Sequence, residues 1–299
     1  MTDSESIDVV MCTWNSNRFY FRRCLASIKK EVDVHHFIVI DRFSSDGTLE
    51  VVRRVFPDAK IFQTATNLGN ARRIGITYVD TRYFAFVDDD IELSEGWSTK
   101  LISLIKGGNQ IGAVQGFARY FIDYLHKEDK LLLSRRKQLN REITDRGYTY
   151  NTVLETDIVR DFDPPHTVHS WEDFLMTQHV IRKGYKWLET SQVQVTHYRD
   201  AEMSYFSELR RYFLRAKWDG AGDRLVHINQ SSVGWPIVNQ LLNSSRSILY
   251  SLIIAIVVLD PRILAFRFLG QVGYLSGFLS PKNNIVPYKL KMDTHGIGN

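Results

Sequence analysis

Cysteine is nearly missing from the 299-residue chain: Cys12 and Cys24 are the only two. Their spacing fits no metal-finger pattern, which excludes a disulfide scaffold and makes a reducing compartment the expectation. Proline is scarce at 7 residues, and no repeat or low-complexity tract occurs, so collagen-like, mucin-like and disordered classes are excluded. The longest apolar run, Ile248 to Leu259, has 12 residues and stops at Asp260-Pro261. A membrane-spanning helix needs about 20. The segment Met1 to Ile7 is polar and acidic and leads straight into a strand pattern; no signal peptide is read there, and a cytoplasmic body is expected.

Charge is present but uneven. The chain carries +4 overall, yet from Ala201 onward 11 Lys/Arg face 6 Asp/Glu, a net of +5, while the first 200 residues are at −1. This division predicts a near-neutral body, 1–200, and a basic tail, 201–299, that meets an anionic partner such as a membrane surface. Extending the apolar run backward meets Arg246, Asn243 and Asn239, which are costly at a bilayer centre. The second apolar stretch, Ile263 to Leu279, contains Arg267 and Gln271. Two amphipathic helices lying on the membrane are expected, with a helical pair packed on the body or on a second subunit of a homo-oligomer as the alternative.

Through the first 120 residues short apolar runs alternate with amphipathic stretches. Val9–Cys12, Phe37–Ile40, Ile61–Phe62, Tyr83–Val87 and Ile111–Val114 read as strands; Phe21–Lys30, Thr48–Phe56, Ala71–Tyr78 and Trp97–Ile105 read as helices. Alternation at this interval predicts an α/β fold, a doubly wound, mostly parallel (mixed) sheet flanked by helices and followed by a C-terminal helical extension, with its ligand site at the carboxyl ends of the strands. The charged stretch from Phe121 to Tyr150 is read as a solvated helix or an acceptor-side loop. Trp171 to Arg182 then reads as a helix and Trp187 to Val195 as a strand.

Four patterns carry chemistry. The strand YFAFV ends in Asp88, Asp89 and Asp90, whose mutual repulsion a hard divalent cation would relieve; a strand end leading into a helix cap is the alternative. If the segment stays extended, Asp88 and Asp90 share a face. NLGNARRIG, from Asn67, opens a helix carrying Arg72 and Arg73, an arrangement suited to a diphosphate. In HSWEDF, one carboxylate serves as a general base beside Trp171, or Ser170 and Asp173 form a capping box. The strand VQVTH ends at His197, which reads as a third metal ligand or a phosphate contact, with a structural histidine as the alternative.

Taken in order, Thr13-Trp14-Asn15, Asp41 with Asp46, NLGNARRIG, the aspartate triplet, Trp171-Glu172-Asp173 and Thr196-His197 resemble the family 2 glycosyltransferases of the GT-A fold, over roughly Asp8 to Tyr198. The resemblance implies sugar transfer from a nucleotide donor to a glycan or lipid-linked acceptor, in cell-surface glycan or glycolipid assembly. It implies Mg²⁺ or Mn²⁺ held by Asp88, Asp90 and His197, and a donor held by Thr13, Asn15, Asp41, Asn67, Arg72, Asp88 and Asp89. Asp173 takes the place of the acceptor-activating base, with inversion by single displacement. Arg42 departs from the pattern, standing where relatives carry Asn or Asp, and Asp161 to His169 replaces a small-residue segment.

The expected partners are a nucleotide sugar, the acceptor and an anionic membrane at the inner face of the cell, with no nucleic acid among them. A sugar-phosphate nucleotidyltransferase is the rival class, but TWNSNRFYF stands where a Gly-rich, Lys-containing loop would follow the first strand. A non-catalytic nucleotide-sugar binding protein would be expected to lose the acidic triplet or Asp173.

Overall fold

The computed structural model describes residues 5–120, 142–165, 171–198, 205–228 and 261–280, together with 242, 249, 252, 253 and 256. The first half alternates strand and helix: β1 (Ile7–Thr13), α1 (Phe21–Glu31), β2 (Val34–Asp41), α2 (Thr48–Val55), β3 (Lys60–Gln63), α3 (Leu68–Thr77), β4 (Tyr83–Val87), β5 (Ile91–Glu92), α4 (Trp97–Gly107) and β6 (Ile111–Tyr120). There follow β7 (Glu142–Thr144), β8 (Asn151–Glu155), α5 (Thr156–Val159), α6 (Glu172–Arg182), β9 (Lys186–His197), α7 (Tyr205–Ile228) and α8 (Pro261–Leu279).

One sheet has the order β3-β2-β1-β4-β8-β6-β9-β5, and β7 pairs with β9. The strands β3, β2, β1 and β4 run parallel, as the βαβ alternation predicts. Beyond them β8 enters antiparallel between β4 and β6, while β6 and β9 are parallel, so the sheet is mixed. Most of Phe121 to Tyr150 lies outside the described residues. Its end is not helical but supplies β7.

Both faces of the sheet are covered, which is why β1 and β4 are almost wholly buried and read as continuous apolar runs rather than alternations. Val9, Met11, Ala85 and Val87 face one core with α1, α2 and α4, including Phe21, Leu25, Val52 and Trp97. Val10, Ile40, Phe84 and Phe86 face the other, with α3, α5 and α6. A side chain at Gly75 would overlap Val10, so this glycine lets α3 lie close on β1 and brings Arg72, one turn earlier, over the ends of the strands.

Candidate active site

The residues singled out in the sequence converge at the carboxyl edge of the parallel strands. At the ends of β1 and β2, Thr13 Oγ1 donates to Asp41 Oδ1 (2.9 Å), and Asp41 also accepts from the Ser44 amide (2.8 Å), Ser44 Oγ (2.5 Å) and Gln63 Nε2 (2.9 Å). Asn15 is held in a left-handed conformation (φ +51°), its amide on Ser44 Oγ (2.8 Å) and its Oδ1 on the Ser45 amide (2.9 Å). Asn67 caps α3, its Oδ1 accepting from the Asn70 amide (2.9 Å). A cleft of about 250 Å³ opens beside these residues, lined by Cys12, Thr13, Trp14, Arg42, Asn67 and Asp89 among others. Burial pushes the Cys12 thiol up to about 12, so it serves as an apolar wall rather than a nucleophile.

The aspartate triplet does not continue the strand. β4 ends at Val87, and the Ile91 amide donates to the Asp88 carbonyl (3.2 Å), closing a turn. The three carboxylates therefore diverge instead of alternating across one extended segment. Asp88 takes Arg72, Asp89 takes the Ser16 hydroxyl, and Asp90 Oδ2 lies 3.1 Å from His197 Nε2.

Arg72 joins the triplet to the WED segment. It is 2% exposed, and Nη1 donates to Asp173 Oδ1 (2.7 Å) and Glu172 Oε1 (2.9 Å) while Nη2 donates to Asp88 Oδ1 (3.0 Å). Burial alone would lower the affinity of Arg72 for its proton, but Asp173, Asp88 and Glu172 together raise it. Asp173 accepts further from the Thr149 amide (3.3 Å) and hydroxyl. Its Oδ1 is thus engaged by Arg72 and Thr149, not by a helix cap. Helix α6 starts at Glu172 behind Trp171, which has φ +80° and makes no capping bond; Ser170 lies outside the described residues.

Burial also raises the acids. Asp88 is raised by desolvation against the pull of Arg72, and Asp89 is pushed up to about 8 by burial and by the neighbouring Asp90. Glu172 rises to about 7 through burial and the charge of Asp173. Such a run of elevated carboxyls is what a cation would relieve. The donors at hand are carboxylate oxygens and one imidazole, the set that Mg²⁺ or Mn²⁺ accepts, so the residues fit a hard divalent ion. Asp88, Asp90 and His197 do not gather three ligand atoms within 4.8 Å here. Among the described residues Asp8, His35 and His36 do, at the opposite end of the sheet. There Asp8 accepts from the amides of His36 (3.0 Å), Asp80 (2.6 Å) and Thr81 (3.2 Å), which ties three segments together and leaves it a structural residue.

Residues 8–161 match the sequence profile of Glycosyl transferase family 2. The chain belongs to this family. The mannosyltransferase PcManGT from Pyrobaculum calidifontis, solved in complex with GDP-Man and Mn²⁺, shares 15% identity and a TM-score of 0.62 over 92% of this chain and 88% of its own. GalNAc-T7, solved with UDP, GalNAc and Mn²⁺, shares 15% identity and a TM-score of 0.54 over 66% of this chain; the chain spans 44% of GalNAc-T7. No curated protein matches the chain. At these identities the structures establish the GT-A fold, and family membership establishes a glycosyltransferase.

Sequence reasoning placed Arg72 near the base or diphosphate and missed both Thr149 and the three carboxylates that Arg72 engages. Thr149 follows a charged stretch with no strand signal, and only the pairing of β8 with β4 and β6 brings it to Asp173. Trp14 lies inside a recognised motif, but nothing in its neighbours along the chain distinguishes it from a core aromatic.

Proposed function

We propose that this family 2 glycosyltransferase moves a hexose from a nucleoside diphosphate donor to an acceptor hydroxyl or lipid phosphate, by single displacement with inversion, in the assembly of cell-surface glycans or glycolipids. The observation that carries this reading is the Arg72 bridge, which fixes Asp173, the proposed base, beside Asp88 of the triplet. Thr13, Asn67 and Asp89 line the cleft proposed for the nucleotide, and Asp41 and Asn15 are proposed to support it through their bonds to Thr13 and Ser44. Mg²⁺ or Mn²⁺ held by Asp88, Asp90 and His197 would supply charge neutralisation for the departing diphosphate. Asp173, pinned by Arg72 and Thr149, takes the acceptor proton from the face opposite the leaving group. Asp173→Asn should lower transfer by about 10²–10⁴-fold while nucleotide binding persists. Unchanged turnover would remove Asp173 from this role.

The catalytic body is proposed to span 1–200 and the tail 201–299 to hold it, as a peripheral protein, on the cytoplasmic face of the membrane that carries the acceptor. Among the described residues no helix is long and apolar enough to cross a membrane. Leu249, Leu252, Ile253 and Ile256 recur at one helical face and are 42–64% exposed, and Phe268, Val272 and Leu279 of α8 are exposed as well. This apolar surface within the basic third suits an anionic bilayer. An apolar face of this kind also serves pairing of two copies, which sedimentation of the detergent-free protein distinguishes.

A further inference from the structure

Helix α7, in the basic tail, lies against the residue that opens α6. Gly222 is buried, and a Cβ there would stand 3.0 Å from Cγ and 3.1 Å from Cδ1 of Trp171, so the backbone of α7 meets the indole directly. Phe174 packs edge to face on the same ring, 4.8 Å between centroids, and the Arg146 guanidinium lies 5.7 Å from it. Arg215 stands two turns before Gly222 on the same face of α7, and its charge acts on the Glu172 carboxyl.

Trp171 is a residue that needs holding. Its backbone is left-handed (φ +80°, ψ +4°), a conformation that a bulky side chain adopts rarely and at a cost. No side chain caps α6, whose first bond runs from the Leu175 amide to the Trp171 carbonyl (2.9 Å). The dihedrals of Trp171 therefore set the direction in which α6 leaves, and with it the place of Asp173 two residues on. On the other flank Gly69 of α3 receives Glu172, where a Cβ would stand 3.1 Å from Glu172 Cβ. Arg72 (2.7 Å) and Thr149 then take Asp173 Oδ1. Those bonds orient the carboxylate and leave the strained backbone before it to be held by the indole.

We infer that Trp171 and Gly222 are positioning residues: α7 seats the indole, the seated indole keeps the backbone left-handed, and that backbone places Asp173. The tail is then part of the catalytic unit and not only its anchor. A base displaced by a fraction of an ångström from its proton loses rate steeply, so a contact remote from the reacting atoms can govern turnover. The inference rests on the reading of Asp173 as the base, and deepens it by naming what holds that base in place.

Release of nucleoside diphosphate from a panel of GDP-, UDP- and dTDP-sugars with Mn²⁺, followed on the full chain below the melting point of every variant, tests the clamp. Gly222→Ala adds one methyl and improves the helix, yet should lower kcat about three- to tenfold at unchanged donor KM, because the indole must give by a few tenths of an ångström. Trp171→Ala leaves the left-handed residue unheld and should cost about 10²-fold, whereas Trp171→Gly, free to adopt that conformation, should retain at least about fivefold more. In the Trp171→Gly background, Gly222→Ala should have no further effect. Unchanged kcat in Gly222→Ala, equal kcat for Trp171→Gly and Trp171→Ala, or a Gly222→Ala loss that persists without the indole would overturn the clamp alone, provided Asp173→Asn is impaired. No release by the wild-type chain, or unchanged release by Asp173→Asn, would overturn it together with the base reading beneath it.

Discussion

A guanidinium buried to 2% and shared by three carboxylates cannot be trimmed without stranding charge. Arg72→Ala should therefore destabilise the fold by about 3–5 kcal/mol in urea denaturation, the cost of breaking a buried ion pair from one side. Arg72→Lys places a point charge where a planar fork spans Asp88 and Asp173, and should recover only part of this. Glu172 offers a second test. Its carboxyl is raised to about 7 by burial and by Asp173, with Arg72 and the more distant Arg215 pulling the other way. A raised acid contributes stability that is complete below its unfolded value, near 4.5, and is lost as pH climbs through 7. In EDTA, the Tm of Glu172→Gln relative to wild type should accordingly rise between about pH 5 and pH 8. A flat difference would mean that Glu172 does not titrate in this window. Arg72 was legible in the sequence as a cation near a helix N-terminus. Its partners were not, because Glu172 and Asp173 lie 100 and 101 residues away and only the folded sheet brings them in.

At the level of elements, the tail helices pack as closely as backbones allow. Gly273 and Gly277 of α8 face the Phe213 and Lys217 carbonyls, and Gly220 of α7 faces the Tyr274 carbonyl; a Cβ at any of the three would collide. Arg224 closes the end of the pair, Nη1 donating to the carbonyls of Phe278 (3.0 Å) and Ser280 (2.6 Å). The ordering of these contacts, with low numbers meeting low and high meeting high, makes α7 and α8 parallel. A Cβ at Gly222 would come within 3.0 Å of Trp171, so α7 also rests on the residue just before Glu172 and Asp173. Gly273→Leu should force the helices apart and reduce hydrogen-exchange protection across 205–228; unchanged protection would contradict the close pairing. Periodicity announced α1, α2 and α4 to within two residues at their ends, because each buries one stripe against a flat sheet. It did not announce β5, only two residues long, or β8, whose Asn and Thr are buried by its neighbours on both sides. It placed β4 at Tyr83–Val87 but could not show the turn through the aspartates, since a turn and an extended chain share that local sequence.

At the scale of the molecule, we propose that the uneven charge reflects a division of labour between a body that gathers acids around one buried arginine and a cationic, apolar tail. Flotation with anionic vesicles should carry the full chain upward, and replacing Leu249, Leu252, Ile253 and Ile256 together by serine should leave it in the lower fraction. Equal partitioning of the two proteins would assign that face to something other than lipid. The most direct test of the glycosyltransferase reading is product identity. The full chain is incubated with Mn²⁺ and a panel of GDP-, UDP- and dTDP-sugars, and the released nucleotide is resolved by ion-exchange chromatography. We expect nucleoside diphosphate with free or transferred sugar, abolished by EDTA and by Asp90→Asn. Release of nucleoside monophosphate with sugar 1-phosphate, or release indifferent to EDTA and to Asp90→Asn, would contradict it.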